Sequence, residues 1–127
     1  MKKILVVDDD PDLLGAICLA LTRAGYATVP AGDGKEALER LAEGGIGLVV
    51  SDIVMPGMDG LELIAEVRRR FAGVPMIAMS GGGRLPTEFH LRYAASSGAC
   101  RVLAKPFLLA DLVSLVRELY GVETPAA

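Results

Sequence analysis

A doubly wound α/β fold, with a parallel sheet covered by helices on both faces, is what this sequence predicts, and three observations carry the prediction. Short β-rich runs alternate with stretches of helical periodicity five times along the chain. The runs that begin at Ile4 and Ile46 lack the in-out alternation of a sheet with one wet face, so both of their faces must be covered. A length of 127 residues fits one domain with one substantial core and leaves no room for a second module of ordinary size.

The elements follow in order. Ile4–Val7 is the first strand, and Pro11 suits the first turn of the helix after it, where a missing N–H costs nothing. Gly25 stops that helix, and Tyr26–Val29 reads as the second strand. Asp33, with Glu36 three residues on, forms a capping-box-like start to the second helix. Ile46–Ser51 is the third strand, and Asp59 with Glu62 repeats the capping pattern for the third helix. Pro75–Met79 is the fourth strand, followed by the helical segment TEFHLRYAASS and a stop at Gly98. Arg101–Ala104 is the fifth strand, and Ala110–Tyr120 carries apolar residues at helical spacing, Leu112, Val116 and Leu119. Beyond Tyr120 only GVETPAA remains, so a domain over 1–121 and a short tail over 122–127, without an output domain, are expected.

Composition narrows the function. Thirteen basic against sixteen acidic residues give a net charge of −3, with no basic run able to neutralise several phosphates, so direct nucleic-acid binding is not expected. Hydrophobic content is 52%, yet charges interrupt every apolar run before the roughly 18 residues of a membrane span. MKKILVVDDD starts like an export signal, but four apolar residues between Lys3 and Asp8 are too few. Cys18 and Cys100 lack metal or redox spacing and read as reduced cysteines of a cytoplasmic protein.

In doubly wound folds ligands gather at the carboxyl ends of the strands. Those tips carry Asp8, Asp9 and Asp10, then Asp52, Ser80, and Lys105 followed by Pro106. Taken singly, the acidic pair fits a solvated loop end, Ser80 fits a helix cap and Lys105 fits a surface. Together they are different. Gathering Asp8, Asp9 and Asp52 in one crevice is unfavourable without a cation, and oxygen-only donors select a hard ion such as Mg²⁺. A cation, a hydroxyl and an ammonium around one carboxylate suit a phosphoryl group, with Asp52 as nucleophile and Lys105 and Ser80 meeting its oxygens.

The motifs ILVVDDDPDLL, SDIVMPGMDGLELI, the Ser80 tip and GACRVLAKPF stand in the order of the receiver domain of two-component response regulators, which the chain resembles over nearly its whole length. The resemblance implies a flavodoxin-like five-stranded parallel sheet in the order 2-1-3-4-5. It implies Mg²⁺ as cofactor, with Asp9 a direct ligand, Asp8 acting through water, and Asp52 and the Val54 carbonyl completing the protein ligands. Asp52 would be the phosphoacceptor, Ser80 the switch hydroxyl, Lys105 the phosphate-binding lysine and Lys105–Pro106 a cis bond. Phosphate would come from a histidine of a sensor kinase or phosphotransfer protein. Hydrolysis of the acyl phosphate would be the off-switch, with Val54 and Gly82 beside it, and the protein would turn over no outside substrate. Output would go to a downstream protein, from a monomer or a phosphorylation-dependent dimer.

The chain departs from that family in two places, and its first helix departs from the amphipathic pattern of a sheet-covering helix. Val102 stands where most receivers have a Tyr or Phe, and a β-branched side chain has no ring to swing inward. Gly81, Gly82, Gly83 and Arg84 lengthen the loop after Ser80; without a GK[ST] ending they read as a switch loop that orders on phosphorylation, not a phosphate cradle. The first helix has almost no polar face. Dense packing with Gly15 and Ala16 outermost accounts for this, as does a docking patch with Leu14 and Cys18 one turn apart. Leu108 and Leu109 extend an output face or pack within the domain, and His90 takes no role. The competing readings are an unphosphorylated adaptor, which Val102 favours, and a flavin carrier, which DDDPD and the lack of Trp disfavour.

Overall fold

Five parallel strands lie in the order β2-β1-β3-β4-β5, so the chain starts in the middle of the sheet, goes to one edge and returns across to the other. The computed structural model describes residues 2–52, 60–81 and 100–120. Within them the elements are β1 (Lys3–Val7), α1 (Pro11–Arg23), β2 (Thr28–Ala31), α2 (Gly34–Ala42), β3 (Ile46–Asp52), α3 (Gly60–Arg70), β4 (Met76–Gly81), β5 (Cys100–Lys105) and α4 (Leu109–Tyr120). Asp59, TEFHLRYAASS, Gly98 and the tail over 122–127 lie outside the described residues.

The missing alternation in the central strands has its expected cause. Leu5 and Val7 of β1, Val49 of β3 and Ala78 of β4 pack with Ala37 and Leu41 of α2 and Leu63, Ile64 and Val67 of α3. The residues between them, Ile4, Val6, Leu48, Val50, Ile77 and Met79, pack on the other face with Ile17 and Leu21 of α1 and Leu112 and Val116 of α4. Each of these side chains is buried, so neither face of β1 or β3 offers water a place.

Local chemistry fixes the helix ends. Asp33 caps α2 by accepting from the Glu36 N–H at 2.8 Å, while Glu36 Oε1 reaches back to the Gly32 N–H at 2.7 Å, one residue beyond the N-cap that the usual capping box engages. At the end of α1, Gly25 has φ 101° and the Gly25 and Tyr26 N–H groups donate to the Thr22 and Leu21 carbonyls, a Schellman closure. That closure corrects the expected second strand: β2 runs over Thr28–Ala31, two residues later than Tyr26–Val29, because Tyr26 is committed to ending α1 and its ring to the core. Pro30, which has no N–H to donate, is tolerated inside β2 because that strand is an edge. β4 and β5 also reach further than expected, and each takes in its tip residue, Ser80 or Lys105.

β3 contains a bulge at its start. Lys3 pairs with Ile46 and Ile4 with Leu48, so Gly47 has no partner across the strand. A Cβ built on Gly47 would lie 2.5 Å from Tyr120 Cε1 and 2.8 Å from Lys2 Cβ. The space is kept for Tyr120, whose hydroxyl donates to the Lys2 carbonyl and whose ring meets Tyr26 at a centroid distance of 5.9 Å. The end of α4 is thereby fastened to the edge of the sheet opposite the strand tips.

Candidate functional site

At the carboxyl end of β1 the buried run continues one residue into a carboxylate: Asp8 is 1% exposed, and its N–H still donates to the Ala31 carbonyl at 3.2 Å. Asp52, the last residue of β3, is 5% exposed, while Asp9 is exposed. One carboxylate oxygen from each of the three lies within 4.8 Å of the others. In an octahedral Mg²⁺ shell with oxygens at about 2.1 Å, opposite ligands lie about 4.2 Å apart and adjacent ones about 3 Å, so this all-oxygen donor set has the chemistry and the rough spacing that such an ion would draw together.

Lys105 reaches the cluster from the opposite edge. It ends β5, and its side chain crosses the end of β4 to place Nζ 3.1 Å from Asp8 Oδ2 and 3.3 Å from Asp52 Oδ2. Burial by itself would lower the pKa of this ammonium; hydrogen bonds and charge from Asp8 and Asp52 together outweigh it and raise the pKa above the ordinary 10.5. The Lys105–Pro106 peptide is cis. The second oxygen of Asp8, Oδ1, accepts from the Asp10 N–H at 2.9 Å, and the Ser51 hydroxyl donates to the Asp52 carbonyl at 2.9 Å.

Of the residues singled out in the sequence, the structure brings Asp8, Asp9, Asp52 and Lys105 together. Ser80 pairs with Ala104 in the β4–β5 ladder, one step before Lys105. Val54, Gly82, Gly83, Arg84 and His90 lie outside the described residues. Val102 is half-buried, pairs with Ala78 and packs against the cluster under α2 and α3. Leu14 and Cys18 are half-buried and lean on the cluster under α1 and α4, and burial pushes the Cys18 thiol pKa up although its Thr28 contact pulls it down. The outer face of α1 carries Gly15 and a half-exposed Leu19 instead.

Sequence reasoning missed two features. Asp10, grouped there with the other tip acids, caps α1 and gives no oxygen to the cluster; Pro11 in the first helical position was the available signal. An apolar cavity of about 380 Å³ beside Lys105, lined by Leu13, Pro106 and Phe107 with the lysine stem, brings together two segments some ninety residues apart, and no local pattern announces it.

Residues 4–117 match the family described as "Response regulator receiver domain". The chain belongs to that family. As a receiver domain it is 39% identical over 103 residues to the transcriptional regulatory protein GlrR of Escherichia coli, covering 81% of this chain and 22% of that protein. It is 35% identical over 124 residues to the DNA-binding transcriptional regulator NtrC of Azospirillum brasilense, covering 98% of this chain and 25% of that one. The chain thus spans about a quarter of the length of these relatives. Among solved structures, a receiver domain from Clostridium thermocellum superimposes with a TM-score of 0.83 at 26% identity, covering 94% of each chain. TrrA of Thermotoga maritima, solved in complex with Mg(2+)-BeF, gives 0.77 at 33% identity, covering 94% of this chain and 99% of that one. The receiver fold, with its sheet order 2-1-3-4-5, and a place in phosphorelay signalling follow from these matches.

Proposed function

We propose that this receiver domain accepts a phosphoryl group on Asp52 from a phosphohistidine of a sensor kinase or phosphotransfer protein, in a Mg²⁺-dependent step. The observation that carries the reading is the convergence of Asp8, Asp9, Asp52 and Lys105 at one end of the sheet. Asp9, Asp52 and the Val54 carbonyl would hold the ion directly and Asp8 through water; Mg²⁺ bound there supplies charge neutralisation for phosphoryl oxygens. In the transfer the P–N bond of the donor breaks, its electron pair stays on an imidazole nitrogen that takes up a proton, and a P–O bond forms to an Asp52 oxygen. Lys105, released from its carboxylates as their charge is taken up, turns its ammonium to the phosphoryl group, and the Ser80 hydroxyl meets another of its oxygens. Water later cleaves the acyl phosphate, returning the Asp52 carboxylate and free phosphate, so the domain switches itself off.

The donor docks at the rim of the site, on the cavity lined by Leu13, Pro106 and Phe107 and on Leu108, which is 70% exposed. Leu14 and Cys18, the docking candidates of the sequence, belong to the same helix as Leu13 and pack half-buried against the core. We take the receiver unit as residues 1–121, a reading supported by the family match over residues 4–117 and by α4, which ends at Tyr120. Intact mass after incubation with Mg²⁺ and phosphoramidate tests the central claim: the wild-type chain gains one phosphoryl group, and neither Asp52→Asn nor a metal-free sample does. Absence of an adduct on the wild type would favour the adaptor reading, to which Val102 gives its one specific support.

A further inference from the structure

Asp10 stands next to the acidic cluster without joining it, and its backbone groups and one carboxylate oxygen are engaged. Its N–H donates to Asp8 Oδ1 at 2.9 Å, and its carbonyl accepts the Leu14 N–H at 2.9 Å. Its Oδ1 accepts the Asp12 and Leu13 N–H groups at 3.0 and 3.4 Å. Asp8 in turn is fully buried, with its second oxygen on Lys105.

We propose that Asp10 is a positioning residue of the metal and phosphoryl site, whose helix cap holds Asp8 and Asp9 where a cation needs them. This inference rests on the reading of the site given above. Asp8 is tied to β2 through its N–H on the Ala31 carbonyl, and Asp10 is tied to α1 through its cap. Asp9, exposed and between them, has its backbone pinned on both sides by rigid elements. Removing the cap frees one of the two anchors. The N–H that orients Asp8 then moves with a frayed helix start, and the ordering of Asp9 must come from metal binding itself. A partner that orients a ligating carboxylate is worth about 10- to 100-fold in metal affinity, and the Asp10 side chain acts one bond further away, so an effect at or below the low end of that range is expected.

Charge is the competing cause, because Asp10 also adds a negative charge near the ion, and capping variants separate the two. Mg²⁺ titration by calorimetry on the intact chain should show Asp10→Ala binding about three- to tenfold more weakly than wild type. Asp10→Ser and Asp10→Asn, which keep a capping oxygen and lose the charge, should stay within about twofold of wild type. Asp10→Val, which also has no capping oxygen, gives the same comparison should the alanine variant not fold. Uncapped variants that bind Mg²⁺ as wild type does, or serine and asparagine variants as weak as alanine, would overturn the inference. Wild type that fails to bind Mg²⁺, or Asp9→Asn that binds undiminished, would instead sink the function on which it rests.

Discussion

Lys105 holds two carboxylates on one ammonium, and its long reach across β4 is what lets Asp8 and Asp52 be buried side by side. The ammonium therefore occupies electrostatically the place a cation wants. Replacing Lys105 with Met should tighten Mg²⁺ binding by about three- to tenfold, through removal of like-charge repulsion at a few ångströms, while slowing phosphoryl uptake; calorimetry and intact mass read the two effects. The same contacts set a pH dependence. Because the Lys105 pKa is raised on folding, its contribution to stability is full below about 10.5 and is lost as pH rises through the higher folded value. In metal-free buffer the wild-type melting temperature should thus fall more steeply above pH 10.5 than that of Lys105→Met. Cys18 shows the opposite face of burial: with its pKa raised, little thiolate exists at pH 8. Its alkylation by iodoacetamide, followed by peptide mapping, should be slow there and accelerate only as pH climbs past the ordinary 9.0.

Among the elements, the bulge in β3 is the most exacting, since Gly47 leaves room for nothing but hydrogen against Tyr120 and Lys2. Gly47→Ala should cost about 1–3 kcal/mol of unfolding free energy by overpacking, and most of that cost should vanish in a Tyr120→Ala background. Urea melts of the two single variants and the double variant measure the coupling. Elements with local chemistry at their ends were readable from sequence. Asp33 with Glu36, Pro11 after Asp10, and Gly25 each announce a boundary through a bond to a nearby backbone group. The second strand was misplaced for the same reason: Tyr-Ala-Thr-Val is all β-prone, but the Tyr26 N–H belongs to the helix before it, and only its bond to Leu21 shows that. Gly47 gave no warning, because its bulge answers to Tyr120, far along the chain.

Over the whole molecule, the acidic tips and Lys105 could be placed at one end of the sheet once five βα units were recognised, because that topology brings strand ends together whatever lies between. Docking residues depend on more than topology. On a helix as apolar as α1 the sequence does not reveal which side faces inward, and Leu14 and Cys18 turned out to be half-buried while Leu13 lines the cavity. Leu108, exposed at the rim, is the cleaner probe. Leu108→Asp should slow phosphoryl transfer from a phosphohistidine donor about tenfold, as loss of an interface anchor does, and leave labelling by phosphoramidate unchanged. Asp8 and Lys105 meet across 97 positions of sequence, and this separation has a consequence for the birth of the protein. A ribosome delivers Asp52 some 53 residues ahead of Lys105, roughly 3 to 10 seconds at ordinary elongation rates. Through that interval β1 and β3 can pair, but their two carboxylates must stay wet or borrow a cation from the cell. A nascent chain therefore completes this charge cluster only when its fifth strand docks, and under the function proposed above a half-made copy would not intercept the signal.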